Sequence, residues 1–310
     1  MSKIVIIGAG AAGLLAGIAA CSAGSQVTIF EKMRKPGRKM LITGKGRCNI
    51  TNASDIAEII KNIPGNGRFL QSALNRFTNE DIVELLESHG CPTKVERGNR
   101  VFPVSDKSQD VVDTLVKIYS ELGGKLKLDT QVTEILTKEG QALGVKTKDG
   151  EYYFDAVILC GGGASYPGTG SDGSGARLAS KVGHRIIELK PSLVPLESDY
   201  PYLEALQGLS LRNVRGTLLA DGKKIGEEFG EMLFTQFGVS GPIVLSLSNL
   251  AAKSLALGQE VELVLDLKPA LSLEKLDARV QRDFTTYSRK HLVNGLKDLL
   301  PQSLIPVVLD

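Results

Sequence analysis

The residues best placed to do chemistry in this chain are glycines with one acid behind them. Gly8-Ala9-Gly10-Ala11-Ala12-Gly13 follows a short β-branched run and precedes an apolar helical pattern, and Glu31 closes a second such run 23 residues after Gly8. That is the dinucleotide fingerprint in its strand–turn–helix context. Gly8 makes the tight turn, Gly10 lets backbone approach a pyrophosphate, and Gly13 lets helix pack on strand. The helix N-terminus, where Ala12 lies, offers unpaired N–H groups and partial positive charge to phosphate. Glu31 is the acceptor for a ribose hydroxyl. The motif alone does not separate FAD from NAD.

A basic loop follows. From Lys32 to Arg47 there are seven cations and no acid, in a segment also holding Gly37, Gly44 and Gly46. Three readings compete: a solvated charge run, a nucleic-acid patch, and a cover over a bound dinucleotide. The loop has no aromatic residue for base stacking. Its position directly after the ribose-binding strand favours the third reading, in which lysine and arginine compensate phosphate charge. A second glycine-rich stretch, 161–175, follows an apolar strand at 155–160, where backbone can touch another part of the same cofactor; a plain crossover loop is the alternative. A fourth segment, 230–242, reads as a turn and a helix start, with Ser240 or Gly241 as N-cap and Pro242 at the first helical position.

These residues need a βαβ unit to position them. The pattern predicts strands at 3–7 and 26–30 around a helix at 11–23. Helices are expected at 54–61, 67–76, 79–88 and 108–122, with short strands at 95 and 100–102. Residues 125–128, 132–137, 142–148 and 152–154 alternate between turns, as strands do. A helix at about 174–182 closes this half. From Pro191 the chain reads as a β-rich unit with strands near 212–220 and 260–267 and a helix at 242–257. Helical patterns at 272–287 and 291–300 follow Pro269.

Length and charge set the outer bounds. The 310 residues suggest two domains or one with an insertion. Glycine is the compositional outlier, 34 residues, roughly 11% where about 7% is typical. The net charge of +2 is the sum of the +7 loop and a −5 remainder, which argues against a nucleic-acid-coating or membrane-surface protein. Cys21, Cys48, Cys91 and Cys160 form no C-x-x-C pair and no disulfide spacing, so a reduced, cytoplasmic compartment is expected and no metal site is. Asn49-Ile50-Thr51 and Asn52-Ala53-Ser54 are chance glycosylation triplets in that setting. Lys3 and the apolar run to Cys21 imitate a secretory signal, but three glycines, at about 1 kcal/mol each, weaken the continuous helix a signal core needs.

Taken together, the motifs resemble those of the aminoacetone-oxidase-like flavoproteins, the NAD(P)/FAD-dependent oxidoreductases. The family pattern GAGAAG, PGRKxxxSGxGRCNxTN, GGxSxPxxGSxGxG, PxLVPL and LFTxxGxSGP is matched in order at 8–13, 36–52, 161–175, 191–196 and 233–242. Thr43 replaces the usual serine, Lys45 a common glycine, and Gln236 a frequent histidine; Phe237 occupies a variable position. The resemblance implies an α/β protein: a FAD-binding Rossmann-like domain of the glutathione-reductase type (1–190), an inserted β-rich domain (191–268) and a small helical subdomain (269–310). It also implies a final strand and Gly-Asp segment returning to the first domain. None occurs before Asp310, so the chain reads as C-terminally truncated.

By the same resemblance, Gly8, Gly10, Ala12, Gly13 and Glu31 hold the ADP half of FAD. Lys32, Arg38, Lys39, Gly46, Arg47 and Asn49 meet phosphate or the flavin edge, Val132 offers backbone to the adenine side, and Gly161 and Gly162 line the cofactor. No catalytic residue is assigned; His89, His184 and His291 lie outside the motifs. The expected activity is FAD-dependent oxidation of a small amine by hydride transfer to flavin. The rivals are NAD(P)H-dependent reduction of an unsaturated or steroid-like substrate, a non-catalytic nucleotide-binding role, and a flavin-dependent RNA modification resting on the basic loop alone. A small-molecule substrate is expected, with no nucleic-acid or membrane partner; the oligomeric state is left open.

Overall fold

The computed structural model describes residues 1–288 and 291–310. The chain divides into two compact units, Met1–Ile187 and Glu188–Asp310.

The first unit opens with β1 (Lys3–Ile7), α1 (Ala11–Ser22) and β2 (Gln26–Phe30). Then come α2 (Arg38–Ile42), β3 (Thr51–Asn52), α3 (Ile56–Lys61), α4 (Gln71–Arg76) and α5 (Asn79–Glu87). β4 (Thr93–Glu96), β5 (Arg100–Pro103) and α6 (Ser108–Glu121) lead into β6 (Lys125–Lys127). β7 (Glu134–Lys138), β8 (Gln141–Thr147), β9 (Gly150–Tyr153), β10 (Ala156–Leu159) and α7 (Ser174–Lys181) complete it.

β6, β2, β1 and β10 lie side by side in one parallel sheet, with Ile4–Ile7 in register with Ala156–Leu159. Read as 3-2-1-4, this is the doubly wound order, and the expected α/β Rossmann-like architecture is borne out. Chain direction reverses outward from β1 and β10, so ligand crevices belong at their carboxyl ends. β3, β5 and β4 form a small antiparallel sheet, and β7, β8 and β9 another.

The core is built on both faces of β1 and β2. On one, Ile6, Leu14, Ile18, Ile29, Val111, Leu115, Ile118 and Tyr119 form a single cluster; on the other, Val5, Ile7 and Phe30 meet Val132, Val145 and Leu178. Burial of each such side chain is worth about 1.5–3 kcal/mol. α1 can lie close because Gly13 and Gly17 stand on its buried side among Leu14, Ile18 and Cys21: a Cβ at Gly17 would come within 2.8 Å of the Tyr119 ring. The buried Tyr119 hydroxyl is shared between the carbonyls of Val27 (3.0 Å) and Lys125 (3.1 Å), which ties α6 to the strands below it. α5 starts on a reciprocal capping box between Thr78 and Asp81.

The basic loop differs from expectation in holding a short helix, α2, and tight turns at 43–46; five residues between glycines give too little periodicity to reveal a helix in sequence. The strand expected at 132–137 begins two residues later, leaving Val132 buried but outside it.

The second unit contains β11 (Leu196–Glu197), α8 (Leu203–Leu206), β12 (Ser210–Ala220), β13 (Lys223–Thr235), β14 (Gly238–Ser240), α9 (Pro242–Ala256) and β15 (Val261–Asp266). α10 (Leu273–Thr286), α11 (Leu292–Gly295) and α12 (Ile305–Leu309) follow. The strands form one antiparallel sheet, ordered β11, β14, β13, β12, β15, and α9 starts from Gly241 with Pro242 at its first position. The residues read as a β-rich domain (191–268) and a helical subdomain (269–310) share this one unit, and Leu304 packs with Leu203, Leu211 and Met232. Among the described residues no helix is long and apolar enough to cross a membrane.

Candidate cofactor site

A cavity of about 690 Å³ opens at the carboxyl ends of β1 and β10, within the range of ligand sites. Its walls include Gly8, Gly10 and Ala12 from the first turn and Glu31 and Lys32 after β2. Lys35, Arg38, Lys39 and Asn49 come from the basic segment, and Val132, Gly161, Gly162, Gly170 and Ser174 complete it. Most of the sequence-read site residues are thus brought together. Gly13, Gly46 and Arg47 are not among its walls.

The three fingerprint glycines do three different jobs. A Cβ at Gly8 would lie 2.5 Å from the Cys160 carbonyl oxygen, so Gly8 is where β1 and β10 turn against each other. A Cβ at Gly13 would sit 1.9 Å from the Gly8 carbonyl oxygen, so Gly13 serves helix-on-strand packing. A Cβ at Gly10 would meet nothing within 4 Å. Gly10 is not needed by the protein's own packing; it leaves the cavity open at the helix N-terminus.

Glu31 is buried, and its carboxylate organises the turn. Oε2 accepts from the Ala9 amide at 2.7 Å and Oε1 from the Met33 amide at 2.8 Å. Each oxygen keeps a further lone pair for a ligand hydroxyl.

The seven cations of the basic segment have divided fates. Arg47 pairs with Glu96 (2.8 Å) and Asp106 (3.4 Å) and lies over the Phe102 ring at 4.1 Å. Glu96 and Asp106 hold its guanidinium firmly protonated. It therefore joins the segment to the β4–β5 hairpin. Arg34 faces Asp129 at 3.7 Å. Lys32 Nζ donates to Asp172 Oδ1 (2.8 Å) and Ser174 Oγ (3.0 Å), and Lys39 Nζ to the Ser165 carbonyl (2.8 Å). The Lys32 ammonium, helped by the Ser174 hydroxyl and amide, holds the Asp172 carboxyl well below the usual carboxylate range. Among the described residues Arg38 and Lys35 have no ion-pair or hydrogen-bond partner, and both line the cavity. They are the cations free to meet an anion there. From sequence Lys35 is not among the expected cofactor ligands; with Arg34 it is the residue on which the RNA-binding reading of the basic run rests.

The remaining walls carry little acid–base chemistry. Cys48 and Cys160 line the cavity, and burial pushes both thiols up. The three histidines are not among the cavity walls: His89 contacts the Leu85 carbonyl at the end of α5, His184 follows α7, and His291 precedes α11. No cluster of metal-ligating side chains occurs among the described residues. An open helix N-terminus, a buried carboxylate with lone pairs to spare, two free cations and a glycine-walled floor suit an anionic dinucleotide.

Residues 2–258 match the HI0933-like protein Rossmann domain. The chain belongs to the HI0933-like family. The flavoprotein resemblance carried by the motifs is thereby borne out, and with it the reading of the chain as a FAD-dependent oxidoreductase. Over its whole length the chain is 32% identical to a 3-dehydro-bile acid delta(4,6)-reductase of Clostridium scindens, covering 75% of that protein. It is 30% identical to the ribosomal RNA dihydrouridine synthase of Escherichia coli, over 97% of this chain and 72% of that one. The Haemophilus influenzae ribosomal RNA dihydrouridine synthase is 31% identical over 98% and 73%.

Proposed function

We propose that this protein uses FAD, with NAD(P)H as electron donor, to reduce a carbon–carbon double bond conjugated to a carbonyl in a small-molecule substrate. The observation that carries the reading is the match, along all of this chain, to a relative named as a delta(4,6)-reductase of a 3-dehydro bile acid. The relatives named for dihydrouridine support it from a second side, since that product is uridine with one ring double bond saturated.

Bound in the cavity, FAD supplies the hydride chemistry. The chain's residues supply the rest. The amides at the start of α1 and the free Arg38 and Lys35 take the pyrophosphate, Glu31 takes the ribose, and Gly161 and Gly162 allow close backbone approach. Val132, buried beside Phe30 and Ile7, gives the adenine side an apolar, backbone-lined wall.

The test is direct. The protein purified with FAD is expected to bleach under anaerobic conditions with NADPH and to recover its yellow colour on adding an enone steroid. Bleaching by a small amine, with hydrogen peroxide formed in air, would instead establish amine oxidation. Recovery only with uridine-containing RNA would move the substrate to nucleic acid. A protein that takes up no flavin would overturn the proposal.

A further inference from the structure

Two lysines read from sequence as phosphate ligands are engaged elsewhere. Lys32 follows the ribose-binding Glu31, and its ammonium reaches Asp172 and Ser174 at 2.8 and 3.0 Å. Lys39 lies in α2, and its ammonium reaches the Ser165 carbonyl at 2.8 Å and Oγ at 3.3 Å. Both ties end on the glycine stretch 161–175, over 120 positions away along the chain. That stretch is pinned at its ends: Gly161 and Gly175 pack so closely that a Cβ on Gly161 would lie 2.8 Å from the Gly175 Cα. Between those ends run Gly162, Gly163, Thr169, Gly170 and Ser171, all walls of the cavity. The run has no regular element beyond one 3-10 turn, and Tyr166 within it takes a left-handed conformation (φ 55°) that costs a non-glycine residue energy. Its own backbone closes it only at a few points, Gly173 N–H donating to the Gly163 carbonyl at 3.1 Å and Thr169 and Gly170 N–H to the carbonyls of Tyr166 and Pro167 at 2.9 Å each, and the two lysines add ties from outside.

We propose that Lys32 and Lys39 are positioning residues, two straps that hold the 161–175 stretch against the cavity, so that a bound dinucleotide leaves only when they let go. The Lys39 strap takes the middle of the stretch at Ser165 and the Lys32 strap its far end at Asp172. Asp172 is itself fixed, accepting from the Ser174 amide at 3.0 Å, while its carbonyl accepts from Arg177 at 2.9 Å. The Lys32 side chain is 20% exposed and that of Asp172 40%, so the tie lies at the rim of the cavity and is partly screened. The inference rests on the flavin reading above.

The experiment measures FAD release from the loaded protein by the rise in flavin fluorescence after dilution into excess competing flavin-binding protein. Lys32→Met, Asp172→Asn and Lys39→Met are each expected to speed release roughly threefold to tenfold, the worth of one or two such bonds. Lys32→Met with Asp172→Asn is expected to release no faster than either alone, because both break one strap. Amide hydrogen exchange over 163–173 is expected to quicken in the same variants. If Lys32 instead holds a phosphate, Asp172→Asn leaves release unchanged or slows it, and that result overturns the proposal. Wild-type protein that binds no FAD would defeat the flavin reading itself, a separate failure visible before any variant is made.

Discussion

Gly10 and Gly13 lie three positions apart in one motif and lack a side chain for different reasons. Gly13→Ala forces a methyl into the Gly8 carbonyl and is expected to lower the melting temperature and yield sharply, whether or not FAD is present. Gly10→Ala meets no protein atom, so the fold is expected to survive while FAD affinity falls about tenfold or more, read by titrating the cofactor-free protein. Equal effects of the two on melting would contradict this division. Asp172 gives a prediction in pH. Its native carboxyl titrates lower than the unfolded value of about 3.9, so the strap stabilises fully above that value and is lost as pH falls through the native one. The melting gap between wild type and Asp172→Asn is expected to be constant from neutral pH to about pH 4 and to close below it.

At the level of elements, the parallel sheet is short, and what lies over it decides its strength. Tyr119→Phe leaves the ring in place between α1 and α6 but deprives the Val27 and Lys125 carbonyls of their shared donor. A loss of about 1–2 kcal/mol is expected, seen in denaturant melts as a lower midpoint with an unchanged slope. The βαβ unit and its fingerprint were legible in sequence because every determinant is local: β-branched run, glycine spacing, apolar helix face. The fates of the cations were not. Lys32, Lys39 and Arg47 look alike in a basic run, and only the fold brings Asp172, Ser165 and Glu96 to them from distant positions. β13 escaped for another reason. Its Lys223–Thr235 sequence carries four acids or lysines in its first half and glycines at 226 and 230, and it is a strand because it pairs along its length with β12 through two irregularities in register.

At the level of the whole molecule, every wall of the cavity belongs to Met1–Ile187, which has its own sheet and its own buried clusters. Residues 1–187 expressed alone are therefore expected to take up FAD with an affinity within about threefold of the entire chain. Loss of binding by a fragment that still melts cooperatively would contradict this. The second unit was the least legible in sequence: its motif at 233–242 spans the end of β13, the short strand β14 and the start of α9.

The placement of the four cysteines has a practical consequence. All are free; Cys21, Cys48 and Cys91 are buried in one core cluster, whereas Cys160 is only half-buried and lines the cavity. A small alkylating reagent entering by that route meets Cys160 first, since the other three thiols are buried. Cofactor in place is expected to shield Cys160, so the ratio of labelled Cys160 to labelled Cys21, read by peptide mass, reports how much of a preparation is loaded without any coloured product or turnover. Each preparation thus carries an internal occupancy gauge, with the core thiols as its zero.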